Sequence, residues 1–243
     1  MDDIFAQQLR NILFIDIETV SQKNDYNSLS PRLQPLWDKK ASYLKNDEGL
    51  SSEEMYFKRA GIYAEFGKVI CIGFGAIYFN EDEEPCFRVK SISGNDEAEV
   101  LLQFNQLLEK HKAKNQLVLA AHNGREFDFP YLCRRMLVNG IPIPQILQIA
   151  GKKPWDVKHL DTLDFWKFGD YKHYTSLDLL AAIFDIPSSK NEIDGSEVNH
   201  VYHIENDLEK INRYCVSDVV VLAQLYLKMN AYPLIEETNI FRV

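Results

Sequence analysis

The sequence predicts an α/β fold in which a mixed β-sheet is covered by helices. Runs of β-branched and aromatic residues are frequent in the first half of the chain, and segments with helical spacing of apolar residues follow them. Strands that come first and then alternate with helices are typical of such a sheet. With 243 residues, 46% of them hydrophobic, the chain can form a substantial core, and we expect a single domain over residues 1–243.

The first predicted strand covers residues 11–20, after a short polar lead-in at residues 1–10. Residues 21–67 have an irregular pattern and contain two prolines, Pro31 and Pro35. We therefore interpret them as an insertion after this strand, called the arm below. Only residues 52–64 of the arm have a helical pattern, which begins at a serine pair followed by two glutamates.

The remaining elements follow in alternation. Two strands, at residues 68–79 and 86–91, flank an acidic turn that we interpret as a solvated hairpin loop. A polar loop is predicted at residues 190–200. The other predicted elements are helices at 96–111, 130–139, 176–184 and 205–229 and strands at 116–121 and 159–165.

Charge and cysteine usage narrow the class of protein. The 27 basic and 36 acidic residues give a net charge of −9, which argues against an avid, sequence-blind binder of duplex nucleic acid. The four cysteines lack zinc-finger or redox spacing, and the N-terminus lacks the features of a signal peptide. No apolar run reaches the length of about 20 residues that a bilayer requires. We therefore expect a cytoplasmic protein with reduced thiols and no membrane partner.

The first predicted strand carries two carboxylates, Asp16 and Glu18, in an otherwise apolar run. Because side chains alternate along a strand, both project from the same face. Two like charges held close together are unfavourable unless a cation lies between them. The alternative is a strand end at which both carboxylates reach water, and this stretch does not decide between the two.

Two later acidic positions are similarly ambiguous. Asp128 lies just before Pro130 at a predicted helix start, where it could simply cap the helix. Asp218 lies in an apolar part of the last helix, one turn after Tyr214. A buried aspartate needs a partner, and a hydrogen bond or ion pair within the core is the alternative to a functional role.

Taken together, four carboxylates and a tyrosine on three elements resemble the DEDD superfamily of 3′–5′ exonucleases, which have a ribonuclease-H-like fold. The three exonuclease motifs are matched, in chain order, by Asp16-Ile-Glu18, by Asn123 through Asp128 and by Tyr214-x-x-x-Asp218. The last is the tyrosine form, DEDDy, since the histidine form would need a histidine where Arg213 stands. The closer resemblance, over residues 11–229, is to the predicted exonucleases related to the proofreading domain of family-B DNA polymerases. The stretches that carry it are His122–Leu132, Leu160–Thr162, Ile193–Ser196 and Tyr214–Val219.

The resemblance implies a site for two divalent cations, Mg²⁺ or Mn²⁺, which prefer oxygen ligands. It implies that Asp16 bridges both ions. Glu18 and Asp218 would complete the site that holds the nucleophilic water, while Asp128 would support the other ion. Tyr214 would orient the attacking water, because its ordinary pKa of about 10 makes it a poor base at neutral pH.

Substrate contacts are expected from Thr19, Asn123 and Phe127. Asn123 would bind the terminal nucleotide, and Phe127 would stack on a base, with plain core packing as the alternative for Phe127. Several weaker functional hypotheses each have a structural alternative, namely solvation, strand-end hydrogen bonding or a tight turn. They concern phosphate contacts by Arg125, Lys172 and Lys190, a site role for Asp161 and substrate contact by Asp194-Gly195-Ser196. His200 and His203 are interpreted as surface or loop residues.

The leading hypothesis is a metal-dependent 3′–5′ exonuclease that acts on single-stranded DNA. The same chemistry on RNA is an alternative, since contacts to the 2′-hydroxyl are not visible in a sequence. A non-catalytic nucleic-acid-binding scaffold is another alternative, against which the complete acidic set and Tyr214 count. No polymerase segment follows in the sequence, so we expect the exonuclease to be free-standing or to act in trans.

Overall fold

The computed structural model describes residues 3–110, 117–170, 172–188 and 193–243. Its strands are β1 (Ile12–Ser21), β2 (Gly67–Phe79), β3 (Pro85–Ser93), β4 (Val118–Ala121), β5 (Leu160–Asp161) and β6 (Ile240–Arg242). They form one six-stranded mixed sheet in the order β5-β4-β1-β2-β3-β6. The helices are α1 (Asp3–Leu9), α2 (Gln34–Ala41), α3 (Ser52–Arg59), α4 (Glu97–Lys110), α5 (Asp128–Val138), α6 (Thr162–Lys167), α7 (Leu177–Ile183), α8 (Val198–His200) and α9 (Leu208–Met229). This is the ribonuclease-H-like α/β architecture that the sequence predicts.

Strand β1 lies in the middle of the sheet, antiparallel to β2 and parallel to β4. Its odd-numbered residues Leu13, Ile15 and Ile17 pack in the core that α4 and α5 cover. Its even-numbered residues Ile12 and Phe14 pack in the core under α9. Because strand side chains alternate, the next two even positions, Asp16 and Glu18, lie on the α9 face of the sheet.

The arm forms a small core of its own. Trp37 and Tyr56 are fully buried there, with their rings edge to face at 5.3 Å. Helix α3 begins with a capping box, in which Ser51 and Glu54 each accept a hydrogen bond from the other residue's main-chain N–H. The predicted helix at 52–64 is therefore confirmed for its first eight residues, after which the arm continues as a tight helical turn at Ala60–Ile62.

Several predicted elements differ in the structure. The strand predicted at 159–165 ends after two residues, because the Asp161 carboxylate accepts the Leu163 N–H at 3.0 Å and starts α6. The polar loop predicted at 190–200 ends in α8, which continues into a π-helical turn at Val201–Glu205. The polar lead-in contains α1, and β6 was not predicted.

No helix in the described part of the chain is both long and apolar enough to cross a membrane.

Candidate active site

A cleft of about 710 Å³ opens where β1 and β4 end, between the sheet, the arm and the start of α9. It brings together residues that are more than two hundred positions apart in the sequence, such as Asp16 and Asp218. All eight residues proposed from the sequence line it: Asp16, Glu18, Thr19, Asn123, Phe127, Asp128, Tyr214 and Asp218.

The two carboxylates of β1 stand where the strand becomes irregular. Asp16 is half-buried and Glu18 is buried, and the register with β2 shifts between Glu18 and Thr19. Bulges of this kind are common beside active sites, where they redirect a side chain. Opposite Asp16 on β2 is Gly73, where a Cβ atom would come within 2.8 Å of the Cys215 sulfur. The glycine therefore allows α9 to pack directly on the strand.

Helix α9 places Tyr214 and Asp218 over β1. Both side chains are buried, at 8% and 9% exposure, and the Tyr214 hydroxyl donates a hydrogen bond to the Asp218 carboxylate. Between them, the Cys215 thiol lies 3.6 Å from the Asp16 carboxylate. The helix thus contributes one carboxylate, one hydroxyl and a buried thiol beneath the site.

The turn after β4 positions the third acidic group, Asp128, at the first residue of α5. Asp128 is 4% exposed, and its carboxylate accepts a hydrogen bond from the main-chain N–H of Ile17 on β1. The turn itself is held by Asp161, whose carboxylate accepts the N–H groups of Asn123 at 2.9 Å and of Arg125 at 3.0 Å. Asn123 has a left-handed backbone, φ 61°, which asparagine tolerates better than most residues.

Crowding of carboxylates dominates the electrostatics of the cleft. Burial, followed by the charges of Asp218 and Asp128, raises the pKa of Asp16 well above its usual value. Burial and the charge of Asp16 do the same to the pKa of Glu18. Burial also raises the pKa of Asp128 to about 7, although main-chain hydrogen bonds oppose the shift. Such a group of acids is costly when ionised unless cations neutralise it.

The donor set fits divalent cations. Ligand atoms of Asp16, Glu18 and Cys215 lie within 4.8 Å of one another, and Asp128 and Asp218 line the same cleft. Four carboxylates offer the oxygen donors that Mg²⁺ and Mn²⁺ prefer, whereas a buried thiol with a raised pKa is a poor ligand for them.

The structure supports some of the weaker hypotheses about site residues and not others. Arg125 does not line the cleft, because it pairs with Asp164 at 3.0 Å, and Lys172 lies outside the cleft as well. Lys190 falls outside the described residues. For Asp161 the strand-end hydrogen-bonding alternative is confirmed. The turn Asp194-Gly195-Ser196 lines the cleft and is closed by a hydrogen bond from the Ser196 N–H to Asp194 at 2.7 Å.

Of the two histidines interpreted as surface or loop residues, His200 is exposed as expected, whereas His203 differs. His203 is half-buried rather than a simple surface residue, and its Nε2 donates to the Ser21 carbonyl at 3.0 Å. His122, to which the sequence assigned no role, lines the cleft. Its Nε2 donates to the Thr175 carbonyl and its Nδ1 accepts from the Thr162 hydroxyl, both at 2.9 Å. Since burial also lowers its pKa, the ring is neutral at physiological pH.

Sequence reasoning missed one whole wall of the cleft. The arm contributes Lys58, Arg59, Gly61 and Ile62, and the segment before α7 contributes Tyr174 and Ser176. The arm contains no motif, so only its two basic residues within the predicted helix at 52–64 gave any signal.

The fold is similar to part of a polymerase of solved structure. One match is the family B DNA polymerase from the hyperthermophilic archaeon Pyrobaculum calidifontis, with a TM-score of 0.53 and 17% sequence identity. The match covers 89% of this chain and 24% of the polymerase, so the chain spans about a quarter of its length. At this identity the likeness establishes the fold alone.

The family is established by sequence. A family model described as a predicted 3′-5′ exonuclease related to the exonuclease domain of PolB matches residues 62–235, well over half of the chain. The chain therefore belongs to this family. The matched residues include the second and third motifs, whereas β1 and nearly all of the arm precede them. No curated protein matches the chain.

Proposed function

We propose that this protein is a metal-dependent 3′–5′ exonuclease that hydrolyses phosphodiester bonds at the 3′ ends of single-stranded DNA, with residues 1–243 as one exonuclease domain. The observation that carries the proposal is the convergence of Asp16, Glu18, Asp128 and Asp218 on one cleft, beside the buried hydroxyl of Tyr214. Membership of a family of predicted 3′–5′ exonucleases supports the reaction class.

The four carboxylates would hold two Mg²⁺ or Mn²⁺ ions. When bound, such ions generate a hydroxide at neutral pH and stabilise the charge that develops on the reacting phosphate. As the family resemblance implies, Asp16 would contribute to both ions, and its carboxylate interacts electrostatically with both Asp218 and Asp128. Glu18 and Asp218 would hold the ion at the attacking water, and Asp128 would hold the ion at the leaving oxygen.

Tyr214 would position the attacking water. Burial and the neighbouring carboxylates raise its pKa further above the ordinary tyrosine value, so the hydroxyl stays protonated at neutral pH. A protonated hydroxyl fixed by its hydrogen bond to Asp218 is suited to holding a water in place, and it is unsuited to acting as a base.

The substrate would enter as a single strand. Phe127 is half-buried, with its ring 5.3 Å from that of Tyr131, so one part of it packs in the core while the rest faces the cleft. A base stacked on this ring would place the terminal nucleotide near Asn123 and Thr19, which we propose contact it through hydrogen bonds. The net charge of −9 favours this mode over avid duplex binding.

The proposal is tested with oligonucleotides that carry a label at either end, as DNA and as RNA, incubated with Mn²⁺ or with a chelator. We expect the 5′-labelled DNA to shorten stepwise and the 3′-labelled DNA to release its label at once, only with Mn²⁺. Asp16→Asn should abolish both. Preferential degradation of RNA would reassign the substrate, and binding without hydrolysis by the wild type would indicate a scaffold.

A further inference from the structure

We propose that the arm is a substrate-binding wall of the cleft and that Arg59 binds a backbone phosphate of the strand whose 3′ end enters it. This inference rests on the proposed function and extends it to a residue outside the family match, which begins at residue 62. Four observations carry it: the position of the arm, the bonds that hold it, the distribution of charge, and the free state of the Arg59 guanidinium.

The end of the arm lines the same cleft as the four carboxylates. The end of α3 and the helical turn after it present Lys58, Arg59 and Ile62 to the same space as the four carboxylates. Ile62 is 53% exposed, so an apolar side chain and two basic ones face the cleft together. A single strand offers apolar base and sugar surfaces beside charged phosphates, which this combination matches.

Hydrogen bonds fix the arm to the elements that carry the acidic residues. Tyr131 on α5 donates its hydroxyl to the Gly61 carbonyl at 2.7 Å. Asn199 on α8 donates to the Phe57 carbonyl at 2.8 Å and accepts the Ser21 N–H at 2.8 Å. The arm is thus a fixed wall of the cleft, because α5 and α8 both hold it, and Asn199 of α8 is itself bonded to the end of β1.

The contact at Gly61 is also close. A Cβ atom at this position would lie 3.1 Å from main-chain atoms of Val20 on β1. The absence of a side chain therefore lets the turn rest on the strand that carries Asp16 and Glu18. Arg59, two residues earlier, is positioned by the same packing.

Among the described residues, the cleft lining contains two basic side chains that are charged at neutral pH. They are Lys58 and Arg59, and both belong to the arm. Lys58 is already engaged, since its Nζ lies 2.8 Å from both carboxylate oxygens of Glu48. Arg59 is half-buried and has no hydrogen-bond or ion-pair partner in the part of the chain that the structure describes. A guanidinium held beside a cleft without a protein partner is available to a ligand.

The chemistry of the guanidinium identifies that ligand. Its planar set of donors matches two phosphate oxygens at once, which an ammonium group does not. Metal ions at the carboxylates would neutralise the scissile phosphate, but the preceding phosphates of the strand would still face an acidic surface. Arg59 provides the positive charge for one of them.

The test compares Arg59→Ala with Lys39→Ala, an exposed basic residue of the arm on α2 that does not line the cleft. KM and kcat for Mn²⁺-dependent hydrolysis of a 5′-fluorescein-labelled oligothymidylate are measured over a series of salt concentrations. We expect Arg59→Ala to raise KM about ten- to hundredfold, with kcat changed less than about threefold. The slope of log KM against log salt should fall by about 0.7, the value for one phosphate contact with a single strand.

Lys39→Ala should match the wild type. Arg59→Lys should restore the wild-type salt slope but lower KM only part of the way to the wild-type value, since the charge remains but the planar set of guanidinium donors is lost. An unchanged KM in Arg59→Ala, or a raised KM with an unchanged salt slope, would overturn the inference, the second because a structural role alone would not remove a phosphate contact. If the wild type hydrolyses no strand, the proposed function fails separately. Fluorescence anisotropy of the same strand then decides, and equal affinity of Arg59→Ala and wild type would overturn the role of Arg59.

Discussion

The Tyr214 hydroxyl donates a hydrogen bond to the Asp218 carboxylate, one turn further along α9. The pair joins the tyrosine to a carboxylate of the acidic cluster, and both side chains are buried. In the proposed function this hydroxyl acts by orienting the attacking water. Its removal should therefore slow the chemical step without affecting substrate binding.

For Tyr214→Phe we expect kcat to fall about ten- to a hundredfold with KM nearly unchanged, which steady-state kinetics would measure. The pH profile between about pH 7 and 9 should keep its shape, because the raised pKa of Tyr214 places its ionisation above that range. Tyr226→Phe is the matched control, since Tyr226 lies in the same helix but packs in the hydrophobic core between α9 and the sheet. Loss of a basic limb of the profile in Tyr214→Phe would show instead that the hydroxyl exchanges its proton in catalysis.

The raised pKa of Asp128 predicts how the stability of the metal-free protein depends on pH. Its value of about 7 in the fold exceeds the value of 3.8 in the unfolded chain, so the folded state binds the additional proton. The contribution of Asp128 to stability is thus fully present below about pH 4 and is lost as pH rises through 7. Asp16 and Glu18 act in the same direction.

Thermal unfolding in chelator, from about pH 5 to pH 8, measures this effect. The melting temperature should decrease over the range, Mn²⁺ should reverse the decrease, and Asp128→Asn should make it shallower. Asp82→Asn, in the exposed hairpin loop, should leave the dependence as in the wild type. A melting temperature that rises with pH in the metal-free protein would contradict a crowded acidic cluster.

The buried ion pair between Arg135 and Glu97 should be the largest single electrostatic contribution to stability around the arm. The two side chains are 5% and 8% exposed and approach to 2.6 Å, and Glu97 also accepts the Val69 N–H at 2.7 Å. Arg135 further donates to the Ala64 carbonyl at 2.9 Å, where the arm returns to β2. Removing one partner leaves the other charged and buried.

Arg135→Met should lower the free energy of unfolding by about 3–5 kcal/mol in urea titrations. The exposed ion pair of Lys45 with Asp47 is the comparison, and Lys45→Ala should have no measurable effect. Equal effects of the two substitutions would mean that the buried network is not important for stability.

Gly73 should be intolerant of a side chain. A methyl group there would meet the Cys215 sulfur at 2.8 Å and Val219 at 2.9 Å, which would push α9 away from β1. We expect Gly73→Ala to cost about 1–3 kcal/mol of stability and to reduce hydrolysis, because Asp218 would move away from Asp16. Gly94→Ala is the control, since its nearest contact would be an ordinary 3.4 Å. Full activity in Gly73→Ala would contradict this packing.

The composition of the site could be predicted from the sequence because its residues stand in recognisable local contexts. The alternation of β1 sets Asp16 and Glu18 on one face, and the spacing of four on α9 brings Tyr214 beside Asp218. Their meeting with Asp128 in one cleft followed from the family resemblance, since local patterns alone do not bring distant elements together. The roles proposed for these residues remain predictions.

The arm and the smaller elements could not be predicted because their structure depends on non-local contacts. Residues near Arg59 are held in place by hydrogen bonds from Tyr131 and Asn199, which lie more than sixty positions later in the sequence. No local sequence pattern at these two residues predicts the contact. The strand predicted at 159–165 ends early because Asp161 caps α6. The apolar residues that follow are compatible with either a strand or a helix, so composition alone does not predict where the strand ends. Strand β6 pairs with β3 across some 150 residues of chain.

The most direct measurement of the central claim is Mn²⁺ binding by isothermal titration calorimetry to the wild type, Asp16→Asn and Glu81→Gln. Glu81 belongs to the exposed acidic hairpin loop, so its variant controls for nonspecific attraction of cations. We predict that Asp16→Asn weakens Mn²⁺ binding at least about tenfold while Glu81→Gln binds as the wild type does. Wild-type affinity for Mn²⁺ in Asp16→Asn would contradict a divalent-metal site built from these carboxylates.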